Sequence, residues 1–255
     1  MIFKKATTLF LLPILIFCIA TVISCELGGE NDNGSLFAPN GLEYKINKDR
    51  LTCTIVGLGS CSDTVVTVPE KIKRYRVTAI GKGAFSEENY PECINITEFI
   101  LPDSLLTIEA DAFYRCGGLT ELVIPDSVRS IGAGAFRNCY SLRKLTLPKD
   151  LTEISALMCY ACLALVEVNI PKDVKVIKGD AFMECRLKTI NLSTSVEHIE
   201  TFAFLTYEKI DQKVCYDGTL EQWKAVVRDD LWISDADCIT FECQDFDGLV
   251  KDVYK

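Results

Sequence analysis

The chain predicts a β-rich solenoid, a stack of short coils of 23 residues each, and three observations carry that expectation. Cys93, Cys116, Cys139, Cys162 and Cys185 follow one another at a constant step of 23 residues. Pro102, Pro125, Pro148 and Pro171 keep the same step, each after an apolar residue, and Ser193 takes that place after a one-residue deletion. Ile108, Ile131, Ile154, Ile177 and Ile199 form a third column, with Ile80 preceding it by 28 residues. So many columns in register mark a repeat architecture, in which a unit buries its apolar side only against its neighbours. Composition agrees: 255 residues, 49 % apolar and 25 % charged, describe a foldable globular chain. A net charge of −9 excludes a chain-wide basic surface, so no nucleic-acid partner is expected. A single histidine leaves little for histidine-based zinc sites, dyads or triads.

Residues 1–24 contain no acid, carry Lys4 and Lys5 near the start, and run uncharged and apolar from Ala6 to Ile23. This is the pattern of a secretory signal. The stretch ends in Val22-Ile23-Ser24-Cys25, which resembles the lipobox of bacterial lipoproteins, where cleavage precedes the cysteine and its thiol takes a diacylglycerol. Cys25 is therefore the expected lipid attachment, and the membrane is contacted through it. An uncleaved anchor is the alternative, and Pro13 and the small Ser24 favour cleavage. The polar run that follows Cys25 has almost nothing to bury and reads as a flexible tether over 25–40.

Within the repeat each unit reads as two short extended arms joined by turns. Leu119, Leu122 and Ile124 point inward in one copy, and Pro125 ends the arm by removing a ladder donor. Val128 and Ile131 line the inside of the second arm, and Ala135, Phe136 and Cys139 close the coil. Ala-Phe pairs recur at 84/85, 112/113, 135/136, 181/182 and 203/204, while the fourth copy has Met158-Cys159 instead. Five additional residues fall in the segment from Ser86 to Glu92, read as a surface insertion. Five to six coils at about 4.8 Å spacing would span roughly 25–30 Å.

The pattern Cys-x-x-Leu-x-x-Leu-x-Leu-Pro-x-x-Val-x-x-Ile-x-x-x-Ala-Phe resembles the BspA-like (Treponema-type) leucine-rich repeats of bacterial surface proteins, over residues 77 to about 207. The resemblance extends to both flanks. Gly41-Leu42-Glu43-Tyr44-Lys45-Ile46 through Val65-Val66-Thr67-Val68-Pro69 looks like that family's β-rich N-terminal cap, and Tyr216 to Trp223 with Trp232 and Ile239–Cys243 looks like its C-terminal cap. The expected fold is then a β-rich leucine-rich repeat solenoid over 77–207, with a β-rich cap over 41–76 and an α+β cap over 208–255. Thr219 and Gln222 have capping-box spacing, with Leu220, Trp223 and Val227 on one side of the helix expected to follow. The resemblance implies a non-catalytic surface adhesin for host matrix or other cell-surface proteins, at the outer membrane or cell surface. Two other readings stand beside it: a glycan-binding or nutrient-capture lipoprotein, with Tyr90, Tyr140 and Tyr160 as aromatic candidates, and a periplasm-facing interaction protein.

The repeat also decides how the conspicuous residues are read. Cys159-x-x-Cys162 has redox spacing, but both fall on core positions, whereas a reactive thiolate needs exposure and a positive neighbour. No second pair has zinc-ligand spacing, and neither a phosphate loop nor a nucleophile elbow appears, so no metal, cofactor or catalytic residue is expected. Cys53–Cys61 and Cys238–Cys243 are the pairs open to disulfide formation. His198 reads as an ordinary exposed residue. Lys71, Lys73, Arg74 and Arg76 form the one basic run, either a solvated turn or a contact for sulfated glycans or acidic partners. The outward positions of the first arms make a strip of adjacent side chains. Its candidate binding residues are Glu98, Glu121, Arg143, Lys144, Glu167, Asn169, Lys188 and Asn191.

Overall fold

The computed structural model describes residues 36–234 and 239–254. Cys25, the expected lipid attachment, and Cys238, the expected partner of Cys243, lie outside the described residues. The chain opens with β1 (Leu36–Phe37), β2 (Glu43–Ile46) and β3 (Thr52–Gly57), then β4 (Val65–Thr67), β5 (Lys71–Ile72) and β6 (Tyr75–Ile80). The repeat follows as alternating first and second arms: β7 (Glu98–Ile100), β8 (Thr107–Ile108), β9 (Glu121–Val123), β10 (Ser130–Ile131), β11 (Lys144–Thr146), β12 (Glu153–Ile154), β13 (Glu167–Asn169), β14 (Val176–Ile177), β15 (Thr189–Leu192) and β16 (His198–Ile199). Last come β17 (Lys213–Tyr216), helix α1 (Leu220–Ala225), β18 (Val227–Arg228), β19 (Thr240–Cys243) and β20 (Phe246–Leu249).

The arms are short because the chain turns at fixed places. Each first arm ends at the proline column, and the proline carbonyl accepts a bond from the amide three residues on, as in Leu105 N to Pro102 O at 3.1 Å and Val128 N to Pro125 O at 3.0 Å. That bond swings the chain into the second arm. First arms then pair in parallel with first arms, and second arms with second arms. Glu121, Lys144 and Glu167 stand side by side across β9, β11 and β13, and Ile154, Ile177 and Ile199 across β12, β14 and β16.

The stack is longer than the repeat alone. β4 pairs in parallel with β7, and β17 and β19 continue the ladder beyond β15, so the solenoid has about eight turns rather than five to six. The flanking segments at 41–76 and 208–255 supply these rungs. An open strand edge at a solenoid end is a template that the adjoining chain can pair with even without the repeat's own sequence. Antiparallel strands close the two ends: β1 and β2 on β3, and β20 on β19.

A third side of each coil has its own ladder, which the sequence reading did not anticipate. Asp111, Phe113 and Arg115 donate their amides to the carbonyls of Ala133, Ala135 and Arg137 one coil on, and the pattern repeats along the stack. In most coils this side carries two left-handed residues four positions apart. Gly83, Asp111, Gly134, Leu157, Asp180 and Phe202 make one column with φ near +60°, and Arg115, Asn138, Ala161 and Glu184 make another. The two left-handed residues flank the buried Phe position, and the amides of all three reach the neighbouring coil.

The apolar columns meet in the middle as expected. The isoleucine column, the five column cysteines and the Ala-Phe pairs are all buried. Phe85, Phe113 and Phe136 have ring centroids 5.4 Å apart, as do Phe182 and Phe204. Cys159 interrupts the run between them, and Met158 beside it returns the missing bulk. The C-terminal end is closed by Trp232, whose ring meets Phe204 edge-on, and by Trp223 packed on Tyr216 and Phe241. Thr219 and Gln222 form the expected capping box of α1. Val227 is not on that helix: α1 stops at Ala225, and Val227 joins β18 with its side chain exposed.

The insertion is also not a free surface loop. Ser86 is buried, and the Tyr90 hydroxyl donates to Glu43 Oε2 at 2.7 Å across the N-terminal sheet. A Cβ at Gly57 would lie 1.8 Å from that hydroxyl oxygen, so only glycine at 57 lets Tyr90 dock. Cys53 and Cys61 are free thiols in this structure rather than a disulfide. Cys53 lies against the Tyr75 carbonyl and Cys61 against Asp63.

Candidate binding face

All the outward first-arm residues singled out from the sequence lie on one face, because each first arm buries its middle residue and leaves the residues beside it exposed or half-buried. The register sorts them into columns. Glu121, Lys144 and Glu167 share one, and Val123, Thr146 and Asn169 share the next. Thr189 and Lys213 continue the first, and Asn191 stands beside Cys215 and Glu242 in the second. Glu98 heads the face next to Val65.

Several of these side chains are already engaged. Lys144 Nζ lies 2.5 Å from Glu167 Oε1, and that hydrogen bond holds the lysine's pKa above its usual value. Asn169, though exposed, is bonded to the neighbouring coil: its Oδ1 accepts from Leu147 N at 2.7 Å, and its Nδ2 donates to Leu147 O at 3.1 Å. It splices two neighbouring coils rather than presenting a free amide. Arg143, Lys188 and Asn191 are exposed.

The ladder on this face is interrupted twice, between β13 and β15 and between β7 and β9, and the second break opens into a cleft. β7 and β9 run side by side but are not hydrogen-bonded to each other, whereas β4 pairs with β7 and β9 with β11. Between them lies a cleft of about 570 Å³ lined by Glu98, Ile100, Asp103, Thr120, Glu121 and Val123 among others. Ile100 is 47 % exposed and Val123 66 %, so two apolar side chains stand open between carboxylates. Residue spacing does not reveal this cleft, because β7 and β9 match the repeat as well as their neighbours do. A smaller hollow of about 480 Å³ follows at Thr120, Glu121, Tyr140, Ser141, Arg143 and Ala164.

The column thiols are committed to contacts inside the core. Cys116, Cys139, Cys162 and Cys185 each donate to a carbonyl in the preceding coil, of Phe85, Phe113, Phe136 and Cys159 in turn, all at 3.1 Å. Burial pushes the Cys116, Cys139, Cys159 and Cys185 thiols well above the ordinary range. Among the described residues no group of His, Cys, Asp and Glu is arranged to hold a metal ion. His198 departs from its reading as an ordinary exposed residue. It is half-buried, and its Nε2 lies 2.9 Å from Asp229 Oδ1, which also faces Thr201. Asp229 is 31 residues away, in the part of the chain where the repeat has ended, so no column pointed to it. Tyr90, docked on Glu43, is not a free aromatic platform; Tyr140 is exposed and Tyr160 half-buried.

The model of the BspA-type leucine-rich repeat region matches residues 78–211 in six copies. The chain belongs to the BspA-type leucine-rich repeat family. A leucine-rich repeat protein from Eubacterium ventriosum superposes with a TM-score of 0.55 at 23 % identity, over 68 % of this chain and 44 % of that one. A leucine rich cell surface protein from Faecalibacterium prausnitzii gives a TM-score of 0.49 at 18 % identity, over 86 % of this chain and 78 % of that one. The chain thus spans under half the length of the Eubacterium protein, and the likeness is one of fold. No curated protein matches the chain. Among the described residues no helix is long and apolar enough to cross a membrane.

Proposed function

We propose that this BspA-type repeat protein is a non-catalytic bacterial surface protein, anchored by lipid at Cys25, that binds other proteins through its first-arm face. The observation that carries the reading is the cleft between β7 and β9. It sets exposed Ile100 and Val123 among Glu98, Asp103 and Glu121 on a rigid parallel scaffold. Exposed apolar groups rimmed by charge are the composition of a protein-binding surface. The acidic rim favours a partner segment that brings lysine or arginine beside an apolar side chain, as host matrix and cell-surface proteins can. Glycan capture has less support, because Tyr90 is committed to the N-terminal sheet.

Three measurements test this. Cells expressing the protein are shaved with protease, and full protection of the chain would sink the surface placement. The mass of the membrane-extracted protein reports lipid, and a Cys25→Ser chain that stays membrane-bound at its normal size would refute the anchor. The unlipidated Cys25→Ser chain from residue 25 onward is applied to immobilised matrix proteins and to a glycan array. Glu98→Lys with Glu121→Lys is expected to weaken protein binding about tenfold or more. Unchanged binding, or binding to glycans alone, overturns the assignment of the cleft.

A further inference from the structure

The cations of the N-terminal segment gather at one end of the molecule. Lys48 and Arg50 sit in the turn between β2 and β3, and Lys73 and Arg74 in the turn between β5 and β6. Pairing brings the two turns together. β3 lies beside β6 with Thr52 opposite Arg76, and Arg76 N donates to Leu51 O at 3.1 Å. Lys48, Arg50 and Arg74 line one hollow of about 620 Å³ together with Ile46, Asn47 and Tyr75. Lys71 stands opposite Arg76 across β5 and β6, and Lys45 flanks the group on β2. Among the described residues the ion pairs all lie from Glu87 onward, and none uses these seven cations.

Two further features give this end a direction. Leu51 is 72 % exposed at the tip, between Arg50 and the strand that leads to Arg76, and Ile46 is 38 % exposed beside it. Arg74 is held in place by its own neighbour, with Nη2 donating to the Tyr75 hydroxyl at 3.0 Å and the guanidinium 5.1 Å from the ring centre. The start of the described chain leaves from the same end. β1 is antiparallel to β2, with Leu36 opposite Tyr44, so the N-terminal end of β1 faces the Ile46 end of β2, next to the Lys48–Arg50 turn. Eleven peptide steps separate Leu36 from Cys25, a reach of at most about 40 Å.

We infer that this basic tip docks on an anionic lipid surface, with Lys48, Arg50 and Arg74 on headgroup phosphates and Leu51 in the interface. The inference rests on the reading of Cys25 as the lipid attachment, which is the reason this end meets a bilayer. The anchor holds this end of the molecule near a bilayer, where a basic patch with an apolar tip selects anionic lipid. The tip would then fix the solenoid's orientation, with the first-arm face running away from the membrane.

The test uses the unlipidated Cys25→Ser chain from residue 25 onward, which keeps every core residue from Ala38 on. It is sedimented with vesicles of phosphatidylethanolamine and phosphatidylglycerol, or of phosphatidylcholine alone. Binding to the anionic vesicles only, falling steeply with salt, is expected. Lys48→Gln, Arg50→Gln and Arg74→Gln together should reduce it about a hundredfold. Leu51→Ser should reduce it separately, and Lys149→Gln, Lys172→Gln and Lys175→Gln should leave it unchanged. Unfolding midpoints equal to the parent's show that the variants fold, and Leu51→Ser, at an exposed site, stands as the second arm if the triple variant does not. Equal binding to neutral vesicles overturns the inference. So does tight binding to a heparin fragment without any preference for anionic vesicles. No lipidated protein is present, so failure here is separate from failure of the Cys25 assignment, which the extracted mass decides.

Discussion

At residue scale the fourth coil shows how a repeat absorbs a local exception. The Ala-Phe pair becomes Met158-Cys159, both fully buried, so the bulk moves by one residue while total volume changes little. Cys159→Phe alone would crowd a core that Met158 already fills and should cost about 1–3 kcal/mol. Adding Met158→Ala should recover most of that loss and reconnect the ring stack, a coupling that urea midpoints of the two single variants and the double variant would measure. Additive losses would show that the two positions do not share space. His198 and Asp229 offer a second test. The hydrogen bond from His198 holds the Asp229 carboxyl below its usual range. The folded state therefore binds that proton less readily than the unfolded one. The pair's contribution is present above the ordinary aspartate pKa and is lost as pH falls through the lower folded value. Asp229→Asn should thus lower the unfolding midpoint at pH 6, with the gap closing below about pH 4. A gap independent of pH would remove the pair from the account.

At the scale of the element, the third side of the coil is the part that residue patterning missed. Its left-handed columns mix glycine with Asp111, Leu157, Asp180 and Phe202, so no single residue type marks them. The only legible hint is Gly83, Asp111, Gly134 and Asp180 in one register, residues that tolerate positive φ better than most. Gly134 has φ +66°, and a Cβ there would stand 2.7 Å from Asp111 Oδ1. Gly134→Val should destabilise by about 2 kcal/mol or more, since a β-branched residue is strained there regardless of space. Leu157→Gly, in the same column at φ +59°, should be neutral or stabilising by up to about 1 kcal/mol. Equal losses at both sites would mean that backbone handedness is not what limits this column. The first and second arms, by contrast, were readable because alternation and proline act within three or four residues.

For the molecule as a whole, stability is a matter of neighbouring coils. Removing residues 141–163 joins two equivalent points of adjacent coils and puts Phe182 directly on Phe136. That shortened chain should fold with an unchanged circular dichroism shape and a lower but still cooperative midpoint. Loss of cooperative unfolding would show that the stack is not a sum of nearest-neighbour terms. Ending the chain after residue 207 is expected to do the opposite. It bares the edge of β15 and the ring of Phe204, which Trp232 otherwise covers, and should drive self-association visible by light scattering. The same scale decides the candidate face. Glu98, Glu121, Arg143, Lys144, Glu167, Asn169, Lys188 and Asn191 follow period-two alternation onto one side of the coils, and which of them are free to meet a partner depends on contacts between coils.

The sequence by itself determined the coil length, the buried columns and the direction of every first-arm side chain, because these follow from local periodicity repeated at a fixed step. Only the tertiary structure decided the rest. It set the number of turns, since non-repeat flanks complete the ladders. It opened the cleft between β7 and β9, tied Asn169 to the Leu147 backbone, paired His198 with Asp229 and docked Tyr90 on Glu43. It also brought the cations of two separate hairpin turns to one end. Each of these joins residues 20 or more apart, or depends on how closely two coils approach, and neither distance is written in the spacing of residues along the chain.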